Sequence, residues 1–236
     1  MGKVGLTEQI KELALQNGVS YFGVADLSPA KHAILSQGGS ELASFPYSIS
    51  LGISLIKYIV DQLPQKSERT LALYKHHAYD VVNQRLDIVA SVVSGFIQQK
   101  GYTVLPIPAS KQIDDERICA SFSHKMGASL SGLGWIGKSC LLITPDNGPR
   151  VRWVSILTDA PIEPTGQLME ERCGGCSACV DICPVKAFTG KPFHKEEPRE
   201  ERYDAKKCQK YLEKMKEKNQ TAVCGMCLYV CPYGRK

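Results

Sequence analysis

Eight of the ten cysteines in this chain lie between positions 173 and 231, and their spacing leaves few options for that segment. The first group reads Cys173-Gly-Gly-Cys176-Ser-Ala-Cys179-Val-Asp-Ile-Cys183-Pro184. The second reads Cys224-Gly-Met-Cys227-Leu-Tyr-Val-Cys231-Pro232, with Cys208 alone upstream. Steps of three residues bring successive thiols round one tight loop, and a fourth thiol set before a proline points out of that loop. From about Glu170 onward long apolar periodicity is missing, so bonds to the thiols are expected to organise this part of the fold.

The run C-x2-C-x2-C-x3-C-P is the spacing of bacterial ferredoxins, in which three thiolates cap one cube of iron and sulfide and the fourth ligates the other cube. One 4Fe–4S cluster then takes Cys173, Cys176, Cys179 and Cys231, and the other takes Cys183, Cys208, Cys224 and Cys227. All eight ligands are present. Structural zinc is the plainer alternative, because C-x2-C pairs also build zinc ribbons. A zinc site, however, needs neither three evenly stepped cysteines nor a duplicated fourth before proline. Ile182, Val185, Phe188, Leu228, Tyr229 and Val230 are placed to shield the cubes from water. Cys119 and Cys140 have small or apolar neighbours and are expected as buried small hydrophobes, not as catalytic thiols.

With 236 residues and 43% apolar content the chain can bury a core, and no apolar run reaches the length that spans a bilayer. Its start mixes Lys3, Glu8, Lys11 and Glu12 with apolar residues, which suits an amphipathic helix rather than an export signal. A cytoplasmic location is expected, where cysteines serve metals rather than disulfides. The formal charge is +5, from 29 basic and 24 acidic residues. Two clusters at 2− each bring this to about +1, so the balance gives no pointer to nucleic acid.

Along the chain, helices are expected over 7–17, 56–63, 68–100 and 114–129, and strands over 19–27, 48–53, 102–107, 140–144 and 151–158. In the longest helix Val81, Val82, Leu86, Val89, Val92, Val93 and Phe96 recur at helical spacing. Asp114, Asp115 and Glu116 fall in the first turn of the helix expected at 114, where acids suit its dipole. Pro161 and Pro164 mark a boundary. The fold class expected is α+β, with an α/β domain over 1–165 and a double-cluster module over 166–236. The stretch 191–218 holds ten basic and seven acidic residues, which most often means a solvated face and alternatively a docking surface for an electron donor. His76 and His77 are expected on exposed helix surface, with a cofactor or substrate contact as the sharper alternative. His124 and Lys125, just before a glycine turn, are candidate contacts for phosphate groups.

That turn, Gly132-Leu-Gly134-Trp135-Ile-Gly137-Lys138-Ser139, satisfies both G-x-G-x-x-G and the phosphate-loop pattern G-x4-G-K-S. Both need a strand before the glycines and a helix after them. Here the order is reversed, so a P-loop NTPase is the weaker reading. What remains is a backbone that bends sharply and approaches something closely, either a flat cofactor or a neighbouring strand.

Residues 131–139, then Leu-Leu-Ile-Thr-Pro at 141–145, Leu-Thr-Asp-Ala-Pro-Ile-Glu-Pro at 157–164 and the double cysteine run together resemble the epoxyqueuosine reductase family, cobalamin-dependent iron–sulfur enzymes related to reductive dehalogenases. The resemblance covers about Lys125 to Pro232, and more weakly Tyr74 to Ser110. It implies a nitroreductase-like fold for the first domain, a base-off cobalamin and electron delivery from the clusters to cobalt. It further implies that Gly132, Gly134, Trp135, Gly137 and Lys138 line the corrinoid pocket. In two respects the chain departs from that pattern. The family places an acid, its proton donor, about fourteen residues before the glycine turn; here that register holds Ile118, with Asp115 and Glu116 slightly upstream as the weak catalytic candidates. The family also continues into a helical-repeat domain that grips tRNA, whereas this sequence stops at Lys236, so tRNA is not the expected partner.

The leading expectation is therefore a cobalamin-dependent reductase fed by an external ferredoxin- or flavodoxin-type donor. The alternative is an electron-transfer partner that reduces a corrinoid on another protein and has no small substrate of its own. A flavin in place of the corrinoid is a further alternative, from the nitroreductase ancestry.

Overall fold

The computed structural model describes residues 5–195 and 197–235. In chain order the elements are α1 (Leu6–Gln16), β1 (Tyr21–Asp26), α2 (Lys31–Ala43), β2 (Tyr47–Ser54), α3 (Lys57–Asp61), α4 (Glu68–Lys75) and α5 (Val82–Gln99). There follow β3 (Val104–Ile107), α6 (His124–Leu130), β4 (Trp135–Ile136), β5 (Leu142–Ile143) and β6 (Val151–Thr158). The cysteine-rich part adds α7 (Ala178–Asp181), α8 (Ala205–Glu217) and α9 (Met226–Tyr229). Among the described residues no helix is long and apolar enough to cross a membrane.

The chain forms two compact units that are not contiguous in sequence. The first takes the chain up to Ser54, Val82–Leu133 and Arg152–Met169; the second takes Leu55–Val81, Gly134–Val151 and everything from Glu170 on. The change of character read near residue 165 falls close to one seam. The cluster-bearing unit nevertheless draws in two segments from the earlier part of the chain, which composition did not indicate.

The first unit is built on a four-stranded sheet in the order β1-β2-β6-β3, with β1 antiparallel to β2 and β3 antiparallel to β6. The middle strands β2 and β6 are buried along almost their whole length, as strands covered on both faces must be. Helix α5 packs against β2, β3 and α1, and α6 packs against β1 and β2. The buried residues of α5 (Val82, Leu86, Val89, Ala90, Val93, Ile97) recur every three or four positions, whereas Val81 and Val92 face solvent. At the sheet end Leu27, Ile34, Leu42, Ile107, Phe122 and Leu157 close a smaller apolar cluster.

The long helix read over 68–100 is interrupted. A six-residue π-helical stretch, His76–Val81, separates α4 from α5. Within the second unit, His77 Nε2 accepts a hydrogen bond from the Ile56 backbone at 3.1 Å, so this imidazole is used in packing. His76 stays exposed, 3.6 Å from Asp80.

The helix expected from Asp114 begins only at His124. Residues 114–119 form a tight hairpin instead, closed by a bridge between Asp114 and Cys119 and turning through Ile118 at φ 53°. Long-range contacts hold it: Gln37 Nε2 donates to the Ala120 carbonyl at 2.7 Å, and an added Cβ on Gly38 would strike the Ser121 carbonyl. These anchors outweigh the helical pattern of the segment, and no spacing rule reveals them.

Candidate metal centre

The second unit builds its site from two loops that mirror each other. Each cysteine loop runs into a one-turn helix, α7 holding Cys179 in the first and α9 holding Cys227 in the second, and the two short helices pack together. In the first loop Cys176 N donates to the Cys173 carbonyl at 2.9 Å, and Ser177 Oγ donates to Asp181 Oδ2 at 2.6 Å across α7. In the second, Gly225 sits at φ 70° with its α-carbon against Tyr74 and Leu63, where a side chain has no room. The Glu68 carboxylate accepts from both the backbone and the hydroxyl of Thr221, which pins the approach to Cys224 and lowers the Glu68 pKa.

Cys173, Cys176, Cys179 and Cys231 line a single cavity with Ile143, Ala178, Pro232 and Tyr233. The fourth thiol comes from the second motif, the crossing that the proline-flanked position implies. Cys183, Cys208, Cys224 and Cys227 form the other group: the charges of Cys224, Cys208 and Cys183 all bear on Cys227, beside an apolar wall of Ala187, Phe188, Val185 and Tyr203. Helix α8 supplies Cys208, and its start is fixed by Asp204, whose side chain accepts from Lys207 N at 2.9 Å.

Burial and mutual repulsion raise the thiol pKa values. Desolvation is the main cause at Cys173, pushed up to about 11, and at Cys227, which is raised further by four other cysteines, Cys224, Cys208, Cys183 and Cys179. Cys179, Cys224 and Cys231 are raised for the same first reason. Thiolates gathered in this way need positive charge between them, which an iron–sulfur core supplies. Tyr211 of α8 also has its phenol pKa raised, first by burial and then by the charge of Cys224, which places it near that cysteine. Among the described residues no group of three or more His, Cys, Asp or Glu closes round one ion. In the first group the four thiols stand round a cavity rather than meeting at a point.

The glycine turn proves to be a two-stranded hairpin, β4 paired antiparallel with β5. No helix follows Lys138, and its Nζ donates to the carbonyls of Gly174 (2.6 Å) and Cys176 (3.2 Å). This overturns the phosphate-loop reading, because neither the strand–loop–helix order nor a free lysine exists. The close approach read from the glycines is to protein. An added Cβ on Gly134 would land on the Ile143 carbonyl, and one on Gly137 would press on Ile143 and on Cys173 Sγ. Trp135 is buried, meets Tyr233 edge-on at 4.8 Å, and has the Arg172 guanidinium 5.6 Å from its ring centre. Gly134, Trp135, Gly137 and Lys138 are thus gathered at the first cysteine loop.

Gly132 belongs to the first unit, at φ 77°, with the backbone of Gly166 and Gln167 against it. Asp115 and Glu116 also lie there, in the hairpin. Asp114 Oδ1 accepts from Arg117 N, and Asp115 Oδ1 accepts from Gln112 Nε2, both at 2.8 Å, so none of these acids caps a helix. His124 Nε2 donates to the Pro108 carbonyl (3.1 Å), which leaves Nδ1 to accept from the Ser155 hydroxyl (2.9 Å). Its ring is walled in although part of the residue reaches the surface, and desolvation lowers its pKa to about 4. Cys140 is buried and Cys119 half-buried.

One residue that sequence reasoning passed over is Arg150. It is 2% exposed, pairs with Asp61 at 2.8 Å, donates to the Tyr229 carbonyl at 3.2 Å, and its charge counters the effect of burial on Cys231. A lone arginine in a turn carries no sequence signal for this role.

Residues 172–234 match the family model of the 4Fe-4S double cluster binding domain. Among curated proteins, the epoxyqueuosine reductase of Bacillus cereus is 34% identical over 120 residues, covering 47% of this chain and 29% of that protein. That of Pseudomonas aeruginosa is 34% identical over 124 residues, covering 48% and 32%. The chain is similar to epoxyqueuosine reductase. It spans about a third of the length of the curated relatives it matches. Among solved structures, the epoxyqueuosine reductase from Streptococcus thermophilus superposes with a TM-score of 0.61 at 18% identity, over 99% of this chain and 67% of that one. A reductive dehalogenase whose structure "suggests a mechanism for B12-dependent dehalogenation" gives 0.69 at 20% identity, over 100% and 34%. At these identities the superpositions speak for the fold: a mixed helix-and-sheet chain with a double-cluster module. The flavin alternative finds no support among these relatives.

Proposed function

We propose that this chain is a cobalamin-dependent reductase, cytoplasmic, in which two 4Fe–4S clusters deliver electrons to a bound corrinoid. The observation that carries the reading is the crossed pair of cysteine groups, with Cys231 in the cavity of the first motif and Cys183 against the second. The likeness to epoxyqueuosine reductases and to a dehalogenase described as B12-dependent supports the corrinoid part, and on it the first unit is read as nitroreductase-like. Bound clusters supply one-electron chemistry at low potential. The protein's own contribution is to hold the thiolates, to exclude water with Ile143, Phe188 and Tyr233, and to place Lys138 and Arg150 as fixed positive charge.

A second reading has one observation in its favour. Gly134, Gly137 and Lys138, which the resemblance assigns to the corrinoid, are spent on protein contacts. This suits a carrier that reduces a corrinoid on another protein. Anaerobic reconstitution followed by titration with cob(II)alamin, watched by EPR and visible absorption, separates the two. Uptake of about eight irons together with a base-off cobalt signal is the expected result. Two clusters without cobalamin uptake would leave the carrier.

A further inference from the structure

Helix α8 forms the wall of the second cysteine group. Ala205 and Met215 of its inner face are buried and Cys208 is half-buried, with Tyr211 at the seam near Cys224. Its outer surface is unusual in its charge order. Lys206, Lys210, Lys214 and Lys218 follow one another at i, i+4, with Lys207 alongside, and all five are exposed. At roughly 100° per residue, Lys207, Lys210, Lys214 and Lys218 share about 80° of arc. Among the described residues only Lys207 of these has an ion-pair partner, Asp204 at 3.8 Å. Lys66, across the same cysteine group, brings a further positive charge to bear on Cys224.

Like charges at i, i+4 destabilise the helix, here three times in succession, and cations in the first turn oppose its dipole at Lys206 and Lys207, while only Lys214 and Lys216 in the last turn suit it. A merely solvated face would gain from alternating signs. Within the arc of Lys207, Lys210, Lys214 and Lys218 every residue of the helix is a lysine, with Glu217 and Glu213 at its edge, so the stripe presents positive charge on the outside of a single helix whose other side holds Cys208.

We propose that the lysine stripe of α8 is the docking surface for an acidic one-electron carrier protein, which passes its electron across α8 to the cluster that includes Cys208. The partner's chemistry follows from charge complementarity: a negative surface is steered to the stripe and seated one helix diameter, about 10 Å, from the ligand. In the transfer one electron leaves the reduced carrier and the cluster core passes from 2+ to 1+; no bond breaks and no proton moves. The proposal rests on the iron–sulfur reading of the cysteines.

The test uses the reconstituted chain, a Lys210→Glu/Lys214→Glu variant and a control in the other unit, Lys31→Glu. The probe is flavodoxin of net negative charge. Calorimetric binding and stopped-flow reduction by the hydroquinone are measured at low salt and at 0.5 M. The double variant should bind flavodoxin about ten-fold or more weakly at low salt and be reduced correspondingly slowly. High salt should erase the difference, and the control should behave as the parent. Reduction by methyl viologen radical, a small cation, should be equal in all three proteins. Unchanged flavodoxin binding in a double variant with full iron content would overturn the proposal. So would binding of an RNA stem-loop that the variant loses while its reduction by flavodoxin stays normal, since the stripe would then read phosphate. Failure of the chain to take up iron at all would be recorded separately, by metal analysis, and would remove the iron–sulfur reading together with the proposal.

Discussion

His124 shows how a polar side chain can be built into the frame of the first unit. Both ring nitrogens are engaged, by Pro108 and Ser155, and the ring is held neutral with a pKa lowered to about 4. Unfolded, the same imidazole titrates near 6.5. Between these values the unfolded chain binds the extra proton, so stability is full above about pH 6.5 and falls as the pH drops toward 4. The loss is at most ~3 kcal/mol, and less for the part of the residue that reaches the surface. Thermal unfolding from pH 7.5 to 4.5 should show this slope in the parent and a flatter one in His124→Phe; parallel curves would refute the assignment. In the sequence His124 read as a cofactor contact because of its place before the glycine turn. Ser155, thirty-one residues away, is the partner that spacing does not reveal.

The hairpin of β4 and β5 works as a brace for the first cysteine loop. It presents Lys138 to two carbonyls of that loop and sets Trp135 edge-on against Tyr233, just past Cys231. Gly134→Ala would drive a methyl into the Ile143 carbonyl, and a cost of about 1–3 kcal/mol is expected, together with incomplete iron loading. Gly175→Ala, inside the cysteine loop but with open space around it, is the control and should load iron normally. Differential scanning fluorimetry and iron analysis on the two variants would decide, and equal behaviour would remove the brace. At this scale the sequence was partly readable. The bend and close approach of the glycines could be inferred from their residue type, and the reversed order of helix and strand already argued against a phosphate loop. That protein backbone fills the space could not be inferred, because strands of two residues leave no periodic trace. The helix read from Asp114 failed for a related reason: acids, apolar spacing and length were all present, yet Gln37 and Gly38, far back in the chain, hold the segment as a hairpin.

For the whole molecule the crossed ligands carry the sharpest consequence. Cys231→Ala should leave the EPR and visible signature of a Cys173→Ala variant, although it lies in the other motif, and Cys183→Ala should resemble Cys224→Ala. In each case iron should fall from about eight to about four per chain. A Cys231→Ala protein that instead loses the same signal as Cys224→Ala would show uncrossed motifs. The crossed grouping of the cysteines was legible because their spacing is a local property of the chain. The division into units was not, since Leu55–Val81 and Gly134–Val151 join the cluster-bearing unit by contacts that no composition change announces. That interleaving bears on biosynthesis. The walls of the cluster site come from points as far apart as Leu63 and Tyr233, so the site cannot close before synthesis has passed Tyr233. Metal loading should therefore wait for that point, and a chain interrupted before Cys224 should emerge without its full iron, its remaining cysteines open to oxidation.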